Sequence, residues 1–176
     1  MRFELIPLRA EHKQQFKKDM QMSFQQSAVD EFGESGEEIL SESHIDGSLS
    51  AKGAIAYEAI ADGVPVGGAI VIIDEETQHN HLDFLFVKVG AQSKGIGQSI
   101  WNAIEKLHPE TKIWETCTPY FEKRNIHFYV NRCGFQVVEF YNKKHPDPND
   151  PDKYETKEGT NAEYFEGMFR FEKTMK

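Results

Sequence analysis

The sequence is short of the features that mark several large protein classes. Its 176 residues hold only two cysteines, Cys117 and Cys133, too few for a disulfide framework. The longest apolar run, Ala69 to Ile73, falls far below the roughly 20 residues that span a bilayer. With a mean hydropathy of −0.60, no membrane is expected as a partner. Basic residues are the minority, 20 against 29 acidic ones, for a net charge of −9 and no basic stripe. Nucleic-acid binders carry the opposite balance, so no nucleic acid is expected either. An acidic field of this kind attracts cationic small molecules or basic peptides. Met1-Arg2-Phe3-Glu4-Leu5 lacks the apolar segment of a secretory signal, which makes a cytoplasmic location the expectation.

What is present is ordinary globular material. Aromatics reach 12%, with 13 Phe, unlike a disordered chain. One domain over residues 1–176 buries roughly 70% of its unfolded surface at this length. A first strand is predicted over Phe3 to Pro7. Leu8 to Ser27 reads as a helix, with Phe16, Met20 and Phe24 forming one stripe. Glu37 to Ser43 is a second, short helix, and Asp46 to Gly53 a Ser/Gly-rich loop. Ala54–Ala61 and Val64–Ile73 flank Asp62-Gly63, a hairpin dipeptide. His81 to Val87 is a dense strand, and Gln98 to His108 an amphipathic helix. Lys112 to Thr118 is a strand, Phe121 to Cys133 a helix, and Gln136 to Tyr141 another strand. A loop over 142–162 and a last strand over 164–172 complete the chain. The order predicts an α/β (α+β) sheet protein, antiparallel in its first half, with one β-α-β crossover near the middle.

The informative stretch joins the strand ending at Val87 to the helix that opens at Gln98. Between them lies Gln92-Ser93-Lys94-Gly95-Ile96-Gly97. Backbone N–H groups at a helix start, with glycines that admit close approach, make an anion site, and Lys94 adds a cation. Gly90 and Gly95 have Walker A spacing, but Ile96 and Gly97 stand where Lys and Ser/Thr are required. A dinucleotide fingerprint would need glycine at position 100, where Ile100 stands. A structural tight turn is the plainer alternative.

Leu85-Phe86-Val87 followed by Gln92-x-x-Gly95-x-Gly97 resembles the strand end and pyrophosphate loop of the GNAT superfamily of N-acetyltransferases. Asn125 to Tyr129, running to Cys133-Gly134-Phe135, resembles that superfamily's second cofactor motif. The resemblance implies a single GNAT-like domain, with a mixed sheet of about seven strands and about four flanking helices. It implies acetyl-CoA as cofactor, with phosphates on Gln92, Ser93, Lys94, Gly95, Ile96, Gly97 and Gln98. Leu85, Phe86, Val87 and Val89 would lie along its arm, with Asn125, Phe128 and Tyr129 beside them. The implied activity is acetyl transfer to a primary amine of a small molecule or peptide, directly in a ternary complex.

Five side chains are candidates for proton transfer. In this superfamily a tyrosine usually lies four residues before the glycine of Gly-Phe; here Val130 holds that place and Tyr129, the candidate acid for the departing thiolate, lies five before. Asn125 and Tyr129 share a helix face, and one extra residue before Gly134 would restore the site. Tyr129 is equally readable as a core aromatic with a satisfied hydroxyl. Strand alternation places His81, Asp83, Leu85 and Val87 on one face. His81 falls, by its distance from Gly95, where several members carry a carboxylate, and imidazole suits proton transfer near neutral pH. Glu115 is the second candidate base, followed by Asp83 and Glu58. His79-x-His81 has no third ligand nearby in sequence, so no metal is expected. Cys117, Cys133, Trp101 and Trp114 read as structural. The rival to an enzyme is an inactive acyl-CoA-binding module on the same fold. Oligomeric state stays open, a homodimer included.

Overall fold

The computed structural model describes residues 1–34, 38–92, 94–149 and 167–176. Seven strands form one sheet: β1 (Phe3–Pro7), β2 (Ala54–Ala61), β3 (Val64–Ile72), β4 (His79–Val87), β5 (Ile113–Pro119), β6 (Gln136–Tyr141) and β7 (Met168–Thr174). Their order is β1-β2-β3-β4-β5-β7-β6. Only β4 and β5 are parallel neighbours, joined through the predicted crossover helix. The expected single domain with a mixed seven-stranded sheet and four helices is what the chain forms. Among the described residues no helix is long and apolar enough to cross a membrane. Residues 164–166 of the predicted last strand lie outside the described residues, as do 150–162 of the predicted loop.

Helices α1 (Lys13–Phe32) and α2 (Glu42–Ser50) cover one face of the sheet. The Phe16, Met20 and Phe24 stripe packs on Ile70, Phe84 and Phe86. Lys17 Nζ on α1 donates to Glu42 Oε1 at 2.7 Å and Asp46 Oδ1 at 2.9 Å, tying the two helices together. Helix α2 corrects the reading of Asp46 to Ser50 as loop, and of the helix expected over Glu37–Ser43 only Glu42 and Ser43 are helical among the described residues. Ser41 caps it, its Oγ accepting from the His44 N–H at 3.1 Å. Ile45, fully buried, anchors it to the sheet. The Ser/Gly composition hid this helix, because burial of Ile45 outweighs weak local propensity.

Helices α3 (Ile96–Leu107) and α4 (Lys123–His127) cover the opposite face. On α3, Ile96, Ile100, Trp101 and Ile104 bury against Val71, Leu82 and Trp114. Each such burial contributes about 1.5–3 kcal/mol. Helix α4 does not continue as a regular helix to Cys133. It passes into a π turn over Phe128–Arg132, in which the Cys133 N–H donates to the Phe128 carbonyl at 2.9 Å. A π turn holds one residue more than an α turn. The extra residue that the spacing before Gly134 required is housed here.

Candidate active site

The site begins where two strands part. Strands β4 and β5 pair over His79↔Ile113, Asn80↔Trp114 and His81↔Glu115, and their pairing ends there. The rest of β4, from Leu82 to Val87, has no ladder partner on the β5 side. Just beyond the last pair, Thr116 Oγ1 donates to the Leu82 carbonyl at 3.0 Å. The Tyr129 hydroxyl stands beside Thr116. Burial pushes the Tyr129 hydroxyl well above the usual range, so it stays protonated. Its ring packs on Phe135 and Phe171.

A bulge in β4 changes which residues share a face. Ile70 pairs with Phe84 and Val71 with Leu82, leaving Asp83 as the extra residue. Leu85 and Val87 therefore face the α3 side, while Asp83 accepts from Ser48 of α2 at 2.7 Å on the other. The expected single face holding His81, Asp83, Leu85 and Val87 is corrected accordingly, since simple alternation fails across a bulge. His81 and Glu115 lie on the α2 side, opposite their buried neighbours Leu82 and Trp114.

There His81 Nδ1 stands 3.2 Å from Glu115 Oε2. The other oxygen, Oε1, lies 3.3 Å from His79 Nε2 and accepts from Arg170 at 3.0 Å. The rings of His79 and His81 stack at 5.8 Å. The third polar group that the sequence does not supply near His79-x-His81 thus comes from the parallel strand. Glu58 is otherwise engaged. Burial would raise its carboxyl, but bonds from Arg9 and His12 hold it below the usual range.

Where the strands part, a cleft of about 380 Å³ opens between α1 on one face and α3 and α4 on the other. Leu85, Phe86 and Val87 line it, as do Gln92, Gly95, Ile96, Gly97 and Gln98 of the loop and helix start, and Asn125 and Phe128 of α4. Val89, Lys94 and Tyr129 are not on its wall; Ser93 lies outside the described residues. Gly95 caps α3 in the left-handed region at φ 74°, among the described residues no side chain caps the helix, and its first turn holds no acidic residue. The first N–H groups of α3 therefore remain for a ligand. At Gly97 an added Cβ would sit 3.5 Å from the Phe128 ring and 3.8 Å from Val87, so glycine keeps the cleft floor low.

Sequence reasoning missed half of this wall. Helix α1 contributes Ser23, Phe24, Gln26, Ser27 and Asp30, and α4 with its flanks adds Glu122, Arg124, His127 and Arg132. Spacings of three and four along each helix were the available signal. Ser23 Oγ donates to the Val87 carbonyl at 3.2 Å, fixing α1 against β4. Ser27 donates to Glu122. Burial is the main reason that the Glu122 carboxyl is raised, partly offset by the Ser27 bond.

A raised carboxyl favours the folded state when protonated, so its contribution is lost as pH climbs above about 4.5. Glu122→Gln keeps an acceptor for Ser27 and removes the charge. The variant should melt about 2–4 °C higher than the parent at pH 7, the size of about 1 kcal/mol in such a chain. The gap should close below pH 4.5. Thermal melts at both pH values check this; a lower melting point at pH 7 would mean that the buried carboxylate stabilises the fold.

Cys133 is buried, and that burial raises its thiol to about 12, which removes it as a nucleophile.

Comparison with known proteins gives three kinds of likeness. A sequence profile of the acetyltransferase (GNAT) family matches residues 15–135. The chain is 47% identical over 136 residues to "Uncharacterized protein YrkN" of Bacillus subtilis (strain 168), covering 77% of this chain and 74% of that protein. In fold it is similar to a GNAT family acetyltransferase from Elizabethkingia anophelis solved with acetyl-CoA bound, at a TM-score of 0.70 and 14% identity over 98% of both chains. It is also similar to the PaiA N-acetyltransferase of Thermoplasma acidophilum solved with coenzyme A. That TM-score is 0.66, at 17% identity over 99% of this chain and 100% of the other.

Proposed function

From the premise that the chain belongs to the acetyltransferase (GNAT) family, we propose that it transfers an acetyl group from acetyl-CoA to a primary amine of a small molecule or peptide. The observation that carries this reading is the parting of β4 and β5 after His81↔Glu115, with the glycine-lined cleft beginning at Leu85. When bound, acetyl-CoA supplies a thioester-activated acetyl group. The uncapped N–H groups of α3 and the cations of Arg124 and Arg132 would hold its phosphates. The β4 backbone from Leu85 to Val87 would pair with the arm as an added strand does. A β4 N–H in the gap is positioned to polarise the acetyl carbonyl.

An amine attacks only when neutral, so a base must take its proton. His81 is that base, oriented by Glu115 through Nδ1. Tyr129 on the other face donates the proton that the departing sulfur needs. The two groups work from opposite faces of the sheet, with the gap between them.

Gly97→Val tests the cofactor half. Its Cβ makes only ordinary contacts, so the fold should persist, while its methyl groups enter the cleft. The CoA dissociation constant, measured by calorimetry, should rise at least about tenfold, while Gly97→Ala stays near the parent. An unchanged constant for the valine variant would remove the loop from the site. Thiol release from acetyl-CoA across an amine panel tests the transfer itself.

One observation favours a second reading. Tyr129 is off the cleft wall, its ring packed on Phe135 and Phe171, which suits an acyl-CoA-binding module without turnover. Thermal stabilisation by CoA with no thiol release on any amine would support that reading.

A further inference from the structure

Three adjacent strands bring together a group of side chains that the acetyl-transfer reading uses only in part. His81 pairs with Glu115 across β4 and β5, and Glu115 pairs with Glu172 across β5 and β7. These three form one row across the sheet, and His79 stands two residues before His81 with its ring stacked on the same side. Ligand atoms of His79, His81 and Glu115 all lie within 4.8 Å of one another. The two closest separations are 3.3 Å, from His79 Nε2 to Glu115 Oε1, and 3.2 Å, from His81 Nδ1 to Glu115 Oε2. Tetrahedral zinc with bonds of 2.0–2.1 Å sets its ligands about 3.3 Å apart. Each imidazole therefore stands near zinc spacing from the carboxylate and the two imidazoles lie within 4.8 Å of one another, on paired strands, with Glu172 Oε1 4.0 Å from His79 Nε2.

We propose that His79, His81 and Glu115 form a binding site for a divalent transition-metal ion of the zinc type, and that its occupation withdraws His81 from proton transfer. The donor set fits the ion. Two imidazoles select zinc, copper or nickel over magnesium and calcium, and one carboxylate supplies charge. Arg170 argues against a highly charged site but not against this one. It neutralises one carboxylate of the Glu115 and Glu172 pair, at 3.0 and 3.5 Å, and leaves the other charge for the metal. It also holds Glu115 Oε1, keeping Oε2 turned to His81. The imidazoles are partly exposed, at 37% and 45% of their side chains, so an ion can enter from solvent. Silencing by the ion rests on His81 being the base; binding of the ion does not.

The test uses Zn²⁺ alone, titrated into the purified full chain by calorimetry, with Co²⁺ absorption as a geometric readout. One equivalent should bind the parent. His79→Ala, at a position outside the proposed transfer chemistry, should weaken binding at least tenfold while CoA still raises the melting temperature. Glu115→Gln should weaken it similarly. No stoichiometric binding to the parent, or equal binding to His79→Ala, overturns the site; the latter would place the ion elsewhere, such as on Cys117. Where thiol release is measurable, Zn²⁺ should inhibit the parent, and His79→Ala should need at least tenfold more. Equal inhibition of both overturns the silencing. Absence of turnover on every amine would defeat the acetyl-transfer reading while the binding titration still decides the metal site.

Discussion

Tyr129→Phe is expected to lower turnover about 10²-fold or more while leaving CoA affinity nearly unchanged. The size is that of losing one positioned proton donor. The hydroxyl stands beside Thr116, whose Oγ1 donates to the Leu82 carbonyl, at the first residues beyond the last β4–β5 pair. Burial keeps it protonated, which a donor to a thiolate needs. Phe preserves the packing on Phe135 and Phe171, so stability should fall by no more than about 1–1.5 kcal/mol for one lost hydrogen bond. Steady-state kinetics beside a CoA titration reads both quantities. Normal turnover in the variant would make Tyr129 a core residue with no part in the transfer.

His81→Ala should cost about 10²–10⁴-fold in kcat with little change in KM for acetyl-CoA. His81 is absent from the wall of the cofactor cleft, so its removal should leave the CoA contacts unchanged. Its tie to Glu115 at 3.2 Å fixes the ring, so Glu115→Gln should show a smaller loss of the same kind. Assays should contain a chelator, which keeps a metal ion from mimicking either substitution. Parent-like kinetics for His81→Ala would move the proton to Glu115 or to solvent.

Much of the scaffold was legible in local pattern. Asp62-Gly63 announced the β2–β3 hairpin, and both residues take the positive φ that such a turn needs, 50° and 81°. The stripe of Ile100, Ile104 and Leu107 announced α3, and the glycines before it marked a helix start with N–H groups to spare. Set against the spacing of the family it resembles, the count of residues before Gly134 also signalled the surplus one that the π turn absorbs. Each of these signals sits within a few contiguous residues, where sterics and periodicity act directly on the chain.

Tertiary structure decided what depends on register between distant segments. The bulge at Asp83 exists because β3 and β4 must both bury their apolar residues, and it alone separates His81 from Leu85 by face. Helix α2 forms because Ile45 finds the sheet, not because its own residues favour a helix. His79 meets Glu115 only through the parallel pairing, 36 residues apart in the chain. The α1 wall of the cleft likewise depends on Ser23 reaching Val87 and Ser27 reaching Glu122. A side chain's type and period are local properties, but its partner is chosen by packing of the whole sheet, where burial free energies of many residues are satisfied together.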